Sequence, residues 1–221
     1  MNKSADQAHA DDMNHLKTTV LDWIKPPPTD SAELVEPLDS GIKDGQGFDH
    51  DLTGRFLCPV DYDWEDSFQC EAIRDYHPDF LVTAHSWPSF LYEGGIYDAN
   101  NPSIGLFKGS LLVTAFKFIF TSPSSASKLI RSEHKKDQGP PDRHTRAHVA
   151  ARIGMKSVSP RAIAYITVQL RFALLSCGTW RITDGEFNYN TFYNNIVDFF
   201  KSVETLKEKK FIRDLLIWWN W

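Results

Sequence analysis

The sequence lacks the short motifs that identify the common enzyme classes. It contains no Walker loop, no GxGxxG turn, no HExxH zinc motif and no GxSxG nucleophile elbow. Acids cluster at 49–51 and 61–66, but acids spaced two apart before a helix are more often solvated caps than magnesium ligands. We therefore expect a non-enzymatic protein with no cofactor, and a metal-dependent enzyme is the third of three functional hypotheses.

Cysteine is scarce, and long uncharged hydrophobic runs are missing. Cys58, Cys70 and Cys177 are odd in number and form no CxxC pair, which favours reduced thiols over a disulfide framework. The longest apolar stretch, 104–120, contains two lysines and is short for a membrane span. Residues 1–12 have no apolar segment typical of a secretory signal. We expect an intracellular protein of the cytoplasm or nucleus, with no membrane partner.

Aromatic residues, by contrast, are plentiful. Fifteen Phe, seven Trp and seven Tyr, within a hydrophobic content of 42%, supply enough apolar surface for a packed core. Residues 1–46 are predicted to be an N-terminal tail, disordered over 1–15, with a short amphipathic helix at 16–24 and then a Pro- and Asp-rich linker. We place the folded part at 47–221, as a single compact, mainly α domain of about five to seven helices.

Apolar residues at helical spacing, each run preceded by a residue that can cap a helix, predict where the helices lie. The clearest start is Ser159-Pro160, a capping residue followed by proline at the first helical position. Thr183 and Glu186 have the spacing of a capping box and predict another start. The other predicted helices are 63–74, a short helix capped by Thr83, 103–120 and a last helix over 211–219.

Charge is unevenly distributed along the chain. Residues 128–171 hold ten Lys or Arg against three acids, whereas residues 1–127 hold eight against twenty. Much of the basic segment falls within a polar stretch, 121–157, which contains Gly139-Pro-Pro141 and is predicted to be a long loop. Such a loop can contact phosphates or an acidic partner, stay solvated, or fold back on the acidic half of the chain.

Nucleic-acid contact through the basic segment 128–171 is the second functional hypothesis. Phosphate contact dominates non-specific affinity for nucleic acid. From Lys128 to Ala164 there is no aromatic residue on which unpaired bases could stack, so a duplex backbone or an acidic protein fits better than a single strand. The residues predicted to make the contact are Lys128, Arg131, Lys135, Lys136, Arg143, Arg146, Arg152 and Lys156.

His144 and His148 form a candidate metal site within the same segment. Their i, i+4 spacing places both imidazoles on one side of a helix, but no Glu follows the first His and the surroundings are rich in Pro and Gly. A solvated loop is the simpler interpretation. His77 and Asp79 have the spacing of an iron-binding triad, although the proline between them more simply marks the end of a helix.

Tryptophans near residue 220 give the first functional hypothesis, an interaction or scaffold module. Trp218, Trp219 and Trp221 are the aromatic residues concerned. Exposed aromatic residues often anchor interfaces, so we expect an unidentified protein partner or a second copy of the chain to bind here. The alternative interpretation is that these rings close the core of the protein itself.

Five separated blocks of the sequence resemble one family. They are GFDHDLTGRFLCPVDYDW at 47–64, VTAHSWPSFLY at 82–92, GLFKGSLLVTAFKFIFTSPSSA at 105–126, GMKSVSPRAIAYITVQLRFALLS at 154–176 and LLIWWNW at 215–221. In this order they are similar to an uncharacterised family of mushroom-forming fungi, domain-of-unknown-function family 6698. The resemblance covers 47–221, and it implies no activity, cofactor or site.

Overall fold

Seven α-helices and one short β-hairpin make up the part of the chain that the structure describes. The computed structural model describes residues 3–25, 38, 43–122, 125–126, 150 and 153–220. Over these residues the predicted mainly α, single-domain fold is confirmed, and none of their helices combines the length and apolarity needed to cross a bilayer. The elements are α1 (Lys3–Ile24), α2 (Asp51–Leu57), α3 (Ser67–Arg74), α4 (Ser110–Phe116) continuing into a π-helical turn (Lys117–Thr121), α5 (Pro160–Leu174), β1 (Thr183–Asp184), β2 (Phe187–Asn188), α6 (Tyr189–Lys201) and α7 (Leu206–Trp219).

Helix α5 lies at the centre of the core. The Ser159 side chain accepts a hydrogen bond from the backbone N–H of Ala162, and Pro160 occupies the first turn, so the predicted start is confirmed. Almost every side chain from Ala162 to Leu174 is buried, and the helix contacts α1, α4 and α6. A helix that is apolar nearly all round needs neighbours on several sides, and these three helices provide them.

Helix α1 belongs to the same core, against the prediction that residues 1–46 lie outside the folded domain. The amphipathic helix predicted at 16–24 is present, but it begins much earlier, in the segment predicted to be disordered. Burying each large apolar side chain stabilises the fold by about 1.5–3 kcal/mol, so this helix is a structural element rather than a tail. Residues 26–37 and 39–42, most of the predicted linker, lie outside the described residues. The buried side chains of α1 are Met13, Leu16, Val20, Leu21 and Ile24.

Helix α3 begins later than its apolar pattern predicts. The pattern places the start near Asp63, whereas the helix begins at Ser67, because the Asp66 side chain accepts a hydrogen bond from the Phe68 N–H and caps it there. Phe68, which lies on the predicted apolar face, is 65% exposed. The start of this helix is therefore set by the local capping bond and not by the spacing of its apolar residues.

Helix α4 also begins later than predicted, at Ser110 rather than near Ser103. Gly105 and Phe107 have φ values of +71° and +58°, which an α-helix excludes, so the chain turns sharply before the helix. Among the described residues no α-helix starts at Thr83 either, and 3-10 turns occupy that region. Phe107 has no exposed surface, and its surroundings hold its unusual backbone conformation in place.

The capping box predicted at Thr183 and Glu186 is wrong. These residues belong to a hairpin in which Gly185 supplies the positive φ that the tight turn requires. Helix α6 is capped instead by the Asn188 side chain, which accepts a hydrogen bond from a backbone N–H of the first turn. A complete capping box is present at the start of α7, where Thr205 and Glu208 each bond to the backbone of the other.

Two lysines hold distant segments against the end of α5. Lys43 Nζ donates hydrogen bonds to the carbonyl oxygens of Ala173 and Leu175, the latter at 3.0 Å. Lys17 Nζ, from α1, donates to the carbonyl oxygen of Gly178 at 2.9 Å. The last carbonyl groups of a helix carry partial negative charge, so positive side chains stabilise this end.

Lys43 should make stability depend on pH. Burial, with a smaller repulsion from Lys17, lowers the pKa of Lys43 from 10.5 to about 8. Between these values the unfolded chain binds more protons than the folded one, so the free energy of unfolding rises with pH. The cost of burying the charged form is present below about pH 8 and is relieved above it. From pH 7 to pH 10 we expect the native protein to gain about 2 kcal/mol relative to Lys43→Met, measured by urea unfolding. An equal pH dependence in the two proteins would contradict the assignment.

Candidate functional site

A groove of about 460 Å³ lies between the end of α4 and the end of α7. We call it the C-terminal groove. Its walls are mainly apolar, and its described lining contains two lysines and no acidic residue. A concave apolar surface of this size, open to solvent, is typical of a binding site. The lining residues used below are Phe116, Lys117, Phe120, Met155, Lys156, Val158, Trp218, Trp219 and Asn220.

Asn220 builds one wall of the C-terminal groove. Its Oδ1 accepts a hydrogen bond from the backbone N–H of Val158 at 2.8 Å, and its Nδ2 donates to the carbonyl oxygen of Leu216 at 2.6 Å. These two bonds fasten the segment before α5 to the last turn of α7. Met155 and Val158 are thereby placed beside the tryptophans, although Met155 lies within the stretch predicted to be a polar loop and Val158 directly follows it.

The structure assigns different roles to the two described tryptophans. Trp219 is 8% exposed and packs edge-to-face against Phe116, with ring centroids 5.1 Å apart, so it closes the core. Trp218 is 38% exposed, and the Nζ of Lys108 lies 5.3 Å from its ring centroid. Trp219 thus agrees with the interpretation that these rings close the core, whereas the interface role predicted for Trp218 stays a prediction. Trp221 lies outside the described residues.

The predicted contact set includes only one of the two lysines that line the C-terminal groove. Lys156 belongs to the predicted contact set and is exposed in the lining, whereas Lys117 lines the groove without having been predicted. Arg171, at the end of the basic segment, is buried and cannot reach a phosphate in solution. The other predicted contact residues, Lys128, Arg131, Lys135, Lys136, Arg143, Arg146 and Arg152, lie outside the described residues.

Arg171 instead forms a buried cluster with aromatic rings. Its guanidinium carbon lies 3.2 Å from the centroid of the Phe187 ring, and Nη1 donates a 2.9 Å hydrogen bond to the Tyr189 hydroxyl. Burial lowers the pKa of Arg171 and raises the pKa of Tyr189 to about 12. Within the described residues Arg171 forms no direct ion pair with a carboxylate. It joins α5 to the hairpin and to α6, and its role is structural.

No metal site is found among the described residues, where no three His, Cys, Asp or Glu side chains are grouped as ligands. His144 and His148 lie outside the described part, so their predicted site stays a prediction. His77 caps the 3-10 turn that follows it, because its Nδ1 accepts a hydrogen bond from the Asp79 N–H at 3.2 Å. The spacing that suggested an iron ligand pair is therefore that of a cap.

A second cavity, of about 560 Å³, lies between the end of α2 and the start of α4. We call it the Tyr92 cleft. It shares no lining residue with the C-terminal groove, and aromatic side chains make up much of its walls. Sequence analysis did not predict it, because its residues come from separate turns that carry no motif. The aromatic lining residues are Phe56, Tyr62, Trp64, Phe90, Tyr92 and Tyr97.

The described residues that line the two cavities form no recognisable catalytic arrangement, and comparison with known proteins gives a family rather than a reaction. Residues 3–221 match the model described as "Family of unknown function (DUF6698)". The chain belongs to this family. The match includes α1, in agreement with the place of that helix in the core. No curated protein and no solved structure matches the chain. That the family is one of mushroom-forming fungi stays a prediction.

Membership of DUF6698 assigns no substrate, partner or site, so any functional conclusion must come from geometry. The C-terminal groove offers a partly exposed tryptophan, two lysines and a concave apolar surface. The Tyr92 cleft offers an aromatic cavity, partly open to solvent, and a hydroxyl group without a hydrogen-bond partner in the described part of the chain. The first suits a segment of another chain, and the second suits a small molecule.

Proposed function

We propose that this DUF6698 protein is an interaction module that binds an acidic amphipathic segment of a partner protein in the C-terminal groove. The observation that carries the proposal is the presence of a partly exposed tryptophan and two lysines, without an acid, among the described residues that line one apolar groove. An amphipathic helix would place its apolar face against Phe116, Phe120 and Trp218, as helix-in-groove complexes do.

Charge favours an acidic partner over a neutral or basic one. Lys117 and Lys156 lie in the lining, and Lys108 approaches the ring of Trp218. Acidic side chains flanking the apolar face of a partner would pair with these lysines at the rim, where charge complementarity increases the association rate and selects among partners. The apolar contacts, with Trp218 as the main anchor, would supply most of the affinity.

Nucleic acid is the alternative occupant, but the described residues support it less. A phosphate backbone needs a row of cations and gains nothing from an apolar floor. The groove has such a floor, and most of the cations on which the alternative depends lie outside the described residues. The experiment therefore includes duplex DNA as a competing ligand.

The test is fluorescence anisotropy with two labelled synthetic helices of about 18 residues. Both carry Leu and Phe on one face, and the other face carries Glu in one peptide and Lys in its matched counterpart. We expect the acidic peptide to bind at least about tenfold more tightly than the basic one. Trp218→Ala should weaken acidic-peptide binding about tenfold, because truncating an interface anchor commonly costs more than 1 kcal/mol.

The control variant tests the location of the charge effect. Lys117→Glu/Lys156→Glu should abolish acidic-peptide binding, whereas Lys207→Glu/Lys210→Glu, with the same charge change in the first turns of α7, should leave it unchanged. Equal binding of the two peptides, or equal loss in the two double variants, would contradict the proposal. Salt-sensitive binding of duplex DNA without peptide binding would favour nucleic acid, and self-association lost in Trp218→Ala would identify a second copy as the occupant.

A further inference from the structure

The walls of the Tyr92 cleft are fixed before any ligand arrives. Two isolated β-bridges, Pro59 with Pro88 and Tyr92 with Leu106, join the turns that form the cleft. The backbone N–H of Glu93 donates to the carbonyl oxygen of Gly105 at 2.9 Å and reinforces the second bridge. A cavity of about 560 Å³ falls within the range of small-molecule sites, and a preformed site loses little entropy on binding.

Tyr92 presents a polar group that lacks a partner. The residue is 4% exposed and lines the cleft, and its hydroxyl makes no hydrogen bond within the described part of the chain. Its ring packs edge-to-face against Tyr97, with centroids 5.4 Å apart, so its position is fixed. The hydroxyl oxygen is not one of the fully enclosed unpaired polar atoms of the described residues, so it is accessible from the cleft, where a ligand can pair with it.

The charges at the cleft select against an anionic ligand. Among its described lining residues are the acids Asp63 and Glu65 but only one cation, Arg55, which is already ion-paired with Glu65. Burial raises the pKa of Tyr92, with smaller contributions from Tyr97 and from Asp61 nearby, so the hydroxyl keeps its proton at neutral pH. A protonated tyrosine can donate and accept a hydrogen bond, and the acid excess attracts positive charge.

We propose that the Tyr92 cleft binds a small planar aromatic molecule whose hydrogen-bonding group is neutral or cationic and pairs with the Tyr92 hydroxyl. The rings of Tyr92, Tyr97 and Trp64 supply apolar and edge-to-face contacts for a planar ligand. The proposal is independent of the protein-binding function proposed above, because the two cavities share no lining residue.

Three matched probes test the proposal: benzamidine, benzamide and benzoate, which are cationic, neutral and anionic versions of one planar ring. Binding to the full chain is measured by titration with NMR detection. We expect benzamidine and benzamide to bind with Kd values of about 1 mM, as suits ligands of nine heavy atoms, and benzoate at least about tenfold more weakly. Tyr92→Phe should weaken benzamide binding about fivefold, the effect of one net hydrogen bond.

Tyr76→Phe is the control, because Tyr76 is exposed and lies outside the cleft. It should bind all three probes as the native protein does. Tyr92→Phe is also expected to fold about as stably as the native protein, since it removes a hydroxyl group that makes no hydrogen bond within the described part of the chain. Absence of benzamide and benzamidine binding at 10 mM would overturn the proposal. Benzoate binding most tightly, or Tyr92→Phe binding benzamide unchanged, would overturn it as well.

Discussion

Gly109→Ala is expected to destabilise the protein by at least about 3 kcal/mol, enough to unfold a large share of a marginally stable domain. Gly109 precedes α4, and its N–H donates to the carbonyl oxygen of Leu91 at 3.2 Å. A Cβ atom there would lie 2.9 Å from the carbonyl carbon of Phe90 and nearer still to its oxygen. Because the obstacle is backbone rather than a flexible side chain, the two segments would have to separate.

Urea unfolding of Gly109→Ala should show a much lower midpoint. Gly178→Ala is the matched control, because, apart from its chain neighbours, no atom of the described residues lies within 4 Å of a Cβ built at Gly178, and its effect should stay within about 0.5 kcal/mol. The φ of Gly109 is −54°, which alanine adopts without strain, so the loss would report the close approach alone. Similar midpoints for the two variants would show that the start of α4 does not rest on residues 90–92.

Arg171→Ala is expected to cost about 3–5 kcal/mol. The substitution opens a cavity beside the Phe187 ring and removes the buried hydrogen-bond partner of the Tyr189 hydroxyl. Arg171 is 3% exposed and joins three elements, so its removal should loosen the hairpin and the start of α6 together. Chemical denaturation measures the loss.

The double variant Arg171→Met/Tyr189→Phe separates the charge from the packing. Methionine restores apolar volume, and phenylalanine removes the hydroxyl group that would be left unpaired. Because a buried cation contributes little net stability once desolvation is counted, we expect the double variant to lie within about 1.5 kcal/mol of the native protein. A loss as large as that of Arg171→Ala would mean that the guanidinium itself holds the cluster together.

Features of the fold that depend only on residues close together in the sequence could be predicted. The start of α5 is local, because Ser159 and Pro160 supply the cap and the first turn themselves. The late starts of α3 and α4 could not be predicted from apolar spacing. At α3, Asp66 caps the helix three residues after the start that the apolar spacing predicts. At α4, the positive φ of Phe107 depends on packing against the Trp87, Phe199 and Phe200 rings. Contacts of that kind are set by tertiary structure.

The candidate sites depend even more on long-range contacts. Successive residues on a helix point about 100° apart, so the side chains of Trp218 and Trp219 had to face different directions. Only the position of α4 decides which of the two is buried. Met155 stands in a polar stretch and Val158 directly follows it, and Asn220 places them in the groove through a bond that spans 62 residues. No sequence pattern marks Tyr92 either, because the cavity and the missing partner of its hydroxyl are properties of the assembled turns.

The contacts of α4 with its π-helical turn also constrain the order in which the protein can fold during synthesis. Phe118 packs against Trp23 of α1, with ring centroids 5.3 Å apart, and Phe116 packs against Trp219 of α7 at 5.1 Å. A nascent chain can form the first contact soon after Phe118 leaves the ribosome, but the second must wait for Trp219. At about 5–20 residues per second this takes seconds, during which Phe116 lacks its contact with Trp219.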